Sequence, residues 1–167
     1  IEGLARLAGN EQNGAEVQTA LLSSIGGSAD RLAAVLLADE AFLAKKHAGA
    51  MLTQVLLIVG ANPEAAASLN VLSTLTEKKL PLAIQQVVLA GLGEGLRRRG
   101  ASLQKLLVDK ATSSEVRAQV NELFSSALRF ARGRKSSLAE QVAAVRLLAF
   151  ADLKMATEEL PGFLSPQ

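Results

Sequence analysis

The sequence predicts an all-α fold in which stacked helix pairs form an α-α superhelix of about four or five pairs. The 167 residues include 30 Leu and 29 Ala, which lose little on entering a helix, whereas β-branched residues are far fewer. Apolar residues recur with helical periodicity along most of the chain. Long helices predicted near residues 20, 53 and 90 are spaced by about 33 and 37 residues, as in α-solenoids.

The length predicts one domain covering residues 1–167, large enough to bury a core without disulfides or metals. The longest apolar run, 51–61, is shorter than the roughly 20 residues that cross a bilayer, so we expect no transmembrane helix. The chain begins at Ile1 and shows no signal-peptide pattern. We therefore expect a segment excised from a longer protein.

Capping chemistry predicts where several helices begin. In a capping box, an N-cap oxygen and a carboxylate three residues later bond otherwise unpaired amides. Asn62 before Pro63 predicts a further start, because proline lacks the amide that a first helical turn leaves unbonded. Three pairs have the capping-box spacing: Asn13 and Glu16, Thr112 and Glu115, Ser137 and Glu140.

Glycine and proline predict where the helices end, as at Gly100, Gly133 and Pro161. With boundaries uncertain by about 2 to 4 residues, ten helices are expected. They span 1–8, 14–25, 28–38, 47–60, 63–75, 81–99, 102–109, 113–132, 137–150 and 152–160.

The spacing of apolar residues predicts which helix faces are buried. One stripe on the helix at 81–99 follows the i, i+3, i+4, i+7 rule. The stretch 49–60 is apolar on more than one side, as expected for a helix between neighbours. A plain up-and-down bundle is the structural alternative to the solenoid. The stripe consists of Ile84, Val87, Val88, Leu92 and Leu96.

Most of the chain also carries a resemblance to a known family. The segments are 17–27 (VQTALLSSIGG), 37–43 (LADEAFL) and 91–100 (GLGEGLRRRG). They resemble the HEAT-like helical region of the large planctomycete-type membrane-bound dehydrogenases, also called PVC-type haem-binding proteins. Residues 140–149 (EQVAAVRLLA) resemble a HEAT or armadillo repeat, and 160–167 (LPGFLSPQ) resemble the opening of another.

The resemblance implies a HEAT/armadillo-like linking or docking module of an exported, periplasmic or cell-envelope protein. In that family the helical region lies between a β-propeller and a cytochrome-c-like domain with a CxxCH haem motif. This chain has no Cys, so no haem attachment transfers to any of its residues and no cofactor is expected. The resemblance supplies no catalytic residue.

Basic residues form the candidate partner-contact site, which consists of Arg97, Arg98, Arg99 and Lys105, with Lys110 nearby. Arginine presents a planar fork to anions, so the cluster could bind an acidic partner or phosphates. The alternative is that these cations interact with the last carbonyls of a helix. A second cluster is open to the same two interpretations and consists of Arg129, Arg132, Arg134 and Lys135.

The remaining motifs favour no catalytic or metal site. Gly91, Gly93 and Gly95 form GxGxG within a helical pattern rather than after a strand, which favours close helix packing over cofactor binding. His47 is the single histidine, and with no Cys the usual metal ligands are missing. The serines have no histidine in a matching motif. We interpret them as caps or packing residues.

The sequence thus predicts a non-enzymatic scaffold or protein-interaction module that contacts a protein or flanking domains. Nucleic-acid binding through basic helix ends is the alternative, although the net charge is only +2 and Phe130 is the one aromatic residue in the second basic cluster. An enzyme fragment is a third hypothesis and requires a cleft with convergent ionisable groups. If the array continues, residues 1–8 and 160–164 should expose apolar side chains.

Overall fold

A computed structural model of the chain describes residues 1–133 and 136–151. Throughout these residues the regular structure is helical and no strand occurs, which confirms the all-α prediction. A 3₁₀ turn, Gly26–Ser28, precedes the third helix. The helices are α1 Glu2–Ala8, α2 Ala15–Ser24, α3 Ala29–Ala38, α4 Glu40–Leu43, α5 Ala48–Ala61, α6 Ala65–Glu77, α7 Leu82–Arg98, α8 Leu103–Val108, α9 Ser114–Arg132 and α10 Leu138–Leu148.

The chain divides into two compact units, the first covering Ile1–Ala101 and the second beginning at Ser102. Nine of the ten predicted helices correspond to observed ones, and the predicted helix at 152–160 lies outside the described residues. The short helix α4 is missing from the prediction. It begins after Asp39, whose carboxylate accepts a hydrogen bond from the amide of Phe42 at 3.0 Å.

One of the predicted capping boxes is confirmed. The Ser137 hydroxyl accepts from the Glu140 amide, and the Glu140 carboxylate accepts from the Ser137 amide at 2.7 Å. Hydrogen bonds from the side chain and then the backbone of Ser137 lower the pKa of Glu140.

The other three predicted helices begin within two residues of the expected positions, but their predicted N-cap residues are wrong because these side chains bond elsewhere. The N-cap of α2 is Gly14, and Asn13 donates to the Leu7 carbonyl at 2.7 Å instead. The N-cap of α9 is Ser113, while the buried Thr112 hydroxyl donates to the Leu106 carbonyl at 2.6 Å. Asn62 ends α5, and its side chain accepts from the amide two residues later, so α6 begins only at Ala65.

Unit 1 has α5 at its centre, which confirms the prediction of a helix placed between neighbours. Helix α5 contacts α3, α6 and α7, and it buries side chains on more than one side, including Leu52, Val55 and Leu56. Helix α3 also contacts α1 and α6. We refer to α1, α3 and α6 as layer one and to α2, α5 and α7 as layer two.

The backbones of helices α5 and α7 touch, because glycines lie where the two helices meet. A Cβ on Gly60 would collide with the Leu92 carbonyl, and one on Gly95 would collide with the Leu57 carbonyl and lie 2.8 Å from the Ala61 nitrogen. One on Gly91 would lie 2.8 Å from the Leu56 Cβ. These separations leave no room for any side chain at Gly60 or Gly95.

The same contacts show that α5 and α7 run parallel. Gly49, near the start of α5, faces Val87 near the start of α7, whereas Gly60 near the end of α5 faces Gly95 near the end of α7. Parallel neighbours require an element between them to return the chain, and α6 is that element. Residues that meet across this interface are therefore 32 to 38 positions apart in the sequence.

Unit 2 is built on α9, whose buried stripe is Val116, Val120, Leu123, Phe124 and Ala127. Helix α10 packs on α9 through Ala144 and Leu147. The opposite face of α10 is apolar and exposed at Leu138, Val142 and Val145. Arg117 donates from Nη2 to the carbonyls of Asp109 (3.0 Å) and Thr112 (2.7 Å), so it covers the end of α8.

Apolar side chains are exposed on α1 and just before it, as predicted for residues 1–8: Ile1 is 37% and Leu7 is 44% exposed. The matching prediction for 160–164 lies outside the described residues. No individual helix in the described ranges has the length and apolar composition to cross a membrane. One pair bent by 67°, Ala15–Ser24 with Gly26–Ala38, reaches that length and composition jointly.

The glycine contact predicts opposite effects for the same substitution at two positions of α5. Gly60→Ala should lower the free energy of unfolding by about 2 kcal/mol or more, because the methyl group must separate two backbones. Gly49→Ala should raise it by up to about 1 kcal/mol, because alanine favours the helix and its Cβ meets only Val87 at 4.0 Å. Chemical denaturation measures both. An unchanged free energy of unfolding in Gly60→Ala would contradict the close contact.

Candidate functional site

The predicted partner-contact residues Arg97 and Arg98 lie in the last turn of α7 and share one carboxylate. Arg97 binds Glu94 through two hydrogen bonds, from Nε and Nη2, at 2.9 Å each. Arg98 donates from Nε to the same carboxylate at 3.2 Å. The three side chains together carry a charge of +1, and the arginine side chains remain 71% and 59% exposed.

The arginines also change the titration of their partner. Hydrogen bonding from Arg97, followed by that from Arg98, lowers the pKa of Glu94 below its ordinary value. The carboxylate therefore stays charged across the neutral range and remains a partner for both guanidinium groups.

The third predicted residue, Arg99, bonds the main chain at the end of the neighbouring helix. Its Nε donates to the Gly60 carbonyl at 3.0 Å and its Nη1 to the Pro63 carbonyl at 3.4 Å. The last carbonyls of an α-helix have no partner within the helix, so a cation placed there satisfies them and favours the helix dipole. Arg99 thus stabilises the end of α5 beside the Gly60 contact.

Lys105, the fourth predicted residue, lies exposed on α8 in unit 2, and Lys110 is exposed just after that helix. The hypothesis that Lys105 acts with Arg97 to Arg99 stays a prediction. In the second basic cluster, Arg129 donates to Glu122 at 2.9 Å. Arg134 and Lys135 lie outside the described residues.

His47 and Lys45 bond the end of α1 in the same way that Arg99 bonds the end of α5. His47 Nε2 lies 2.9 Å from the Ala8 carbonyl oxygen and Nδ1 lies 3.2 Å from Glu11, while Lys45 donates to the Gly9 carbonyl. A carbonyl oxygen only accepts, so Nε2 carries a hydrogen. The ring also packs edge-on against Phe42 at 5.8 Å. Its position therefore has a structural explanation.

The two basic caps share a sequence spacing. Lys45 and Arg99 each lie 36 residues after one carbonyl that their cap bonds, Gly9 and Pro63. The other bond in each cap, from His47 and from Arg99, spans 39 residues. Arg99 lies after α7 and bonds the end of α5 within layer two, whereas Lys45 and His47 lie just before α5 and bond the end of α1 in layer one.

The described residues provide no group of three or more His, Asp or Glu side chains placed to hold a metal ion. The GxGxG glycines lie inside α7, and Gly91 and Gly95 pack against α5 as the helix-packing interpretation predicts. Several serine hydroxyls donate to carbonyls of their own helix, as at Ser23, Ser24 and Ser73.

A groove lies between α2 and α5, with a volume of about 350 Å³. Leu22 and Met51 supply apolar surface, and the side chains of Gln18 and Gln54 lie along it. Sequence analysis did not single out these residues, because isolated glutamines on helices carry no motif. A depression of about 510 Å³ between residues 37–44 and 78–81 has charged walls that include Glu40, Lys78 and Lys79.

Comparisons of the chain with models of known protein families, with curated proteins and with solved structures gave no match.

The capping role of Arg99 predicts a difference between adjacent arginines. Arg99→Ala should lower the free energy of unfolding by about 1 to 2 kcal/mol, because two carbonyls lose a charged donor. Arg98→Ala removes one exposed ion pair and should cost less than about 0.5 kcal/mol. Thermal or chemical denaturation of both variants checks this. Equal effects would contradict the capping role of Arg99.

The Glu94 pairs predict a pH dependence. Because the folded-state pKa of Glu94 is lowered, the pairing stabilises the fold above the ordinary glutamate pKa and is lost as the pH falls through the lowered pKa. An NMR titration of the side-chain carboxyl should give a pKa below that of an ordinary glutamate. The Arg97→Gln/Arg98→Gln variant should raise it towards the ordinary value. The same pKa in the variant would show that the arginines are not its cause.

Proposed function

We propose that the chain is a non-enzymatic scaffold and protein-interaction module, in which helix pairs stack as in a HEAT-like solenoid. The pairs in unit 1 are α1 with α2, α3 with α5, and α6 with α7. Each pair buries its apolar residues against the neighbouring pairs, so residues on the outer surfaces are free to bind a partner. The partner is a protein or a flanking domain of the same polypeptide.

The main support is that side chains and backbones meet repeatedly at separations of 32 to 40 residues. Gly60 meets Gly95 within layer two. Asn70 donates to Asp30, 40 residues earlier, at 3.5 Å between helices of layer one. The basic caps add separations of 36 and 39 residues. An up-and-down bundle does not require parallel helices to contact each other at a recurring sequence separation, whereas a stack of helix pairs does.

Nucleic-acid binding has weaker support. Such binding needs cations that neutralise phosphates, and aromatic side chains on which bases can stack. Arg97 and Arg98 share the carboxylate of Glu94, and Arg99 bonds main-chain carbonyls. Arg129 is paired with Glu122. These bonds favour a protein partner over a phosphate backbone.

Site-specific photo-crosslinking in the native cells tests the proposal. A photoreactive residue would replace Thr19 or Ala50, both exposed on layer two, or Ala34 or Ala66, both exposed on layer one. We expect a discrete protein adduct from the layer-two positions, because the groove between α2 and α5 opens there. Mass spectrometry of the adduct identifies a separate protein or another part of the same polypeptide.

The layer-one positions are the matched controls for this experiment, and they should give no adduct. Absence of adducts from layer two, or equal adducts from both layers, would contradict the proposal. Fluorescence anisotropy with duplex DNA adds an independent test. Binding that weakens with rising salt and disappears in the Arg97→Gln/Arg98→Gln variant would favour the nucleic-acid alternative.

A further inference from the structure

The groove between α2 and α5 differs from the tight junction between α5 and α7, although all three helices belong to layer two. Glycines bring the backbones of α5 and α7 together. Between α2 and α5 the facing residues are larger, and a volume of about 350 Å³ remains open. This volume lies within the range of small binding sites, roughly 300 to 1,000 Å³.

The groove combines an apolar floor with two amide groups. Met51 is 5% exposed and Leu22 is half-buried. Thr19, also in the lining, turns its hydroxyl to the Ala15 carbonyl at 2.8 Å. Within the part of the chain that the structure describes, the side-chain amides of Gln18 and Gln54 have no hydrogen-bond partner from the protein. They are therefore the polar groups of the groove with capacity to bond a ligand.

The hydrogen-bonding pattern of a glutamine amide is complementary to a peptide group. A glutamine side chain offers a carbonyl acceptor and an NH₂ donor, which match the N–H and C=O of a peptide group. One helix wall supplies Gln18 and the other supplies Gln54, so the two amides can bond a chain that lies along the groove. The thioether of Met51 is flexible and accommodates apolar side chains of different shapes.

The lack of acidic and strongly basic side chains in the groove further restricts the class of ligand. The groove lining contains no Asp, Glu, Lys or Arg, and the ring of His47 at its edge is directed to Ala8 and Glu11. Burial of a charged partner residue without a counter-charge is costly, so the lining matches an uncharged segment. The depression lined by Glu40, Lys78 and Lys79 lacks this match, since its charges have both signs.

We propose that the groove between α2 and α5 binds an extended, uncharged peptide segment of the partner. One apolar side chain of the segment packs on Leu22 and Met51, and the amides of Gln18 and Gln54 bond its backbone. This inference rests on the proposed interaction function and adds the place and chemistry of the contact.

NMR titration of the full chain with a defined probe tests this inference. The probe is the acetylated, amidated pentapeptide Ser-Thr-Leu-Thr-Ser, compared with analogues carrying Asp or Lys in place of both Thr residues. We expect the neutral peptide to shift the side-chain amide signals of Gln18 and Gln54, with a dissociation constant of about 1 mM or lower. Both charged analogues should bind more weakly.

Variants locate the contact. Ala50→Arg places a long side chain in the groove and should weaken binding at least about tenfold, and Thr19→Arg does so from the other wall if the first variant fails to fold. Gln18→Ala and Gln54→Ala should each weaken binding about three- to tenfold. Gln86→Ala, a glutamine of layer two outside the groove lining, is the matched control and should leave binding unchanged.

Lack of any shift with the neutral peptide would overturn the inference, as would tighter binding of a charged analogue or full binding by the arginine variants. If crosslinks from Thr19 and Ala50 persist in that case, the interaction function stands and the peptide chemistry is wrong. If the crosslinks are also missing, both proposals fail.

Discussion

The backbone contact between Gly60 and Gly95 is the constraint on which unit 1 depends. It lets α5 and α7 approach until a Cβ on either glycine would overlap the other helix. The contact also fixes α5 and α7 in parallel, so the chain must return from the end of α5 to the start of α7. Helix α6 makes this return and packs beside α3. Arg99 comes directly after α7, and because α5 and α7 are so close its side chain reaches the Gly60 carbonyl. Packing and helix capping therefore reinforce each other at one end of α5.

Basic side chains donate hydrogen bonds to the backbone carbonyls at the ends of several helices. The end of α1 is bonded by Lys45 and His47, the end of α5 by Arg99, and the end of α8 by Arg117. Arg99 joins two helices of layer two, α7 and α5, whereas Lys45 and His47 join the start of α5 to the end of α1 in layer one. A cation in this position donates hydrogen bonds to carbonyls that water or a partner would otherwise bond. The proposed binding in unit 1 therefore uses groups without such a role, above all the amides of the groove.

Helix positions were largely predictable from the sequence, because periodic apolar spacing reports burial directly. The burial of α5 on more than one side and the packing role of the GxGxG glycines followed from the sequence. The predicted stripe on α7 was right in part, because Leu89 is buried as well while Ile84 and Val87 are only half-buried. Cap identities were harder, since Asn13 and Thr112 have carbonyls within reach that become neighbours only after folding. The groove amides could not be found for the same reason. Gln18 and Gln54 become one site only when α2 and α5 are placed side by side.

The proposed stacking in unit 1 requires the parallel contact of α5 and α7, which nuclear Overhauser effects between glycine protons can detect. We expect a strong effect between the Hα protons of Gly60 and Gly95, together with one from the Gly49 Hα to a Val87 methyl group. Effects from Gly60 to Val87, or none between Gly60 and Gly95, would contradict the parallel contact and the stacking built on it.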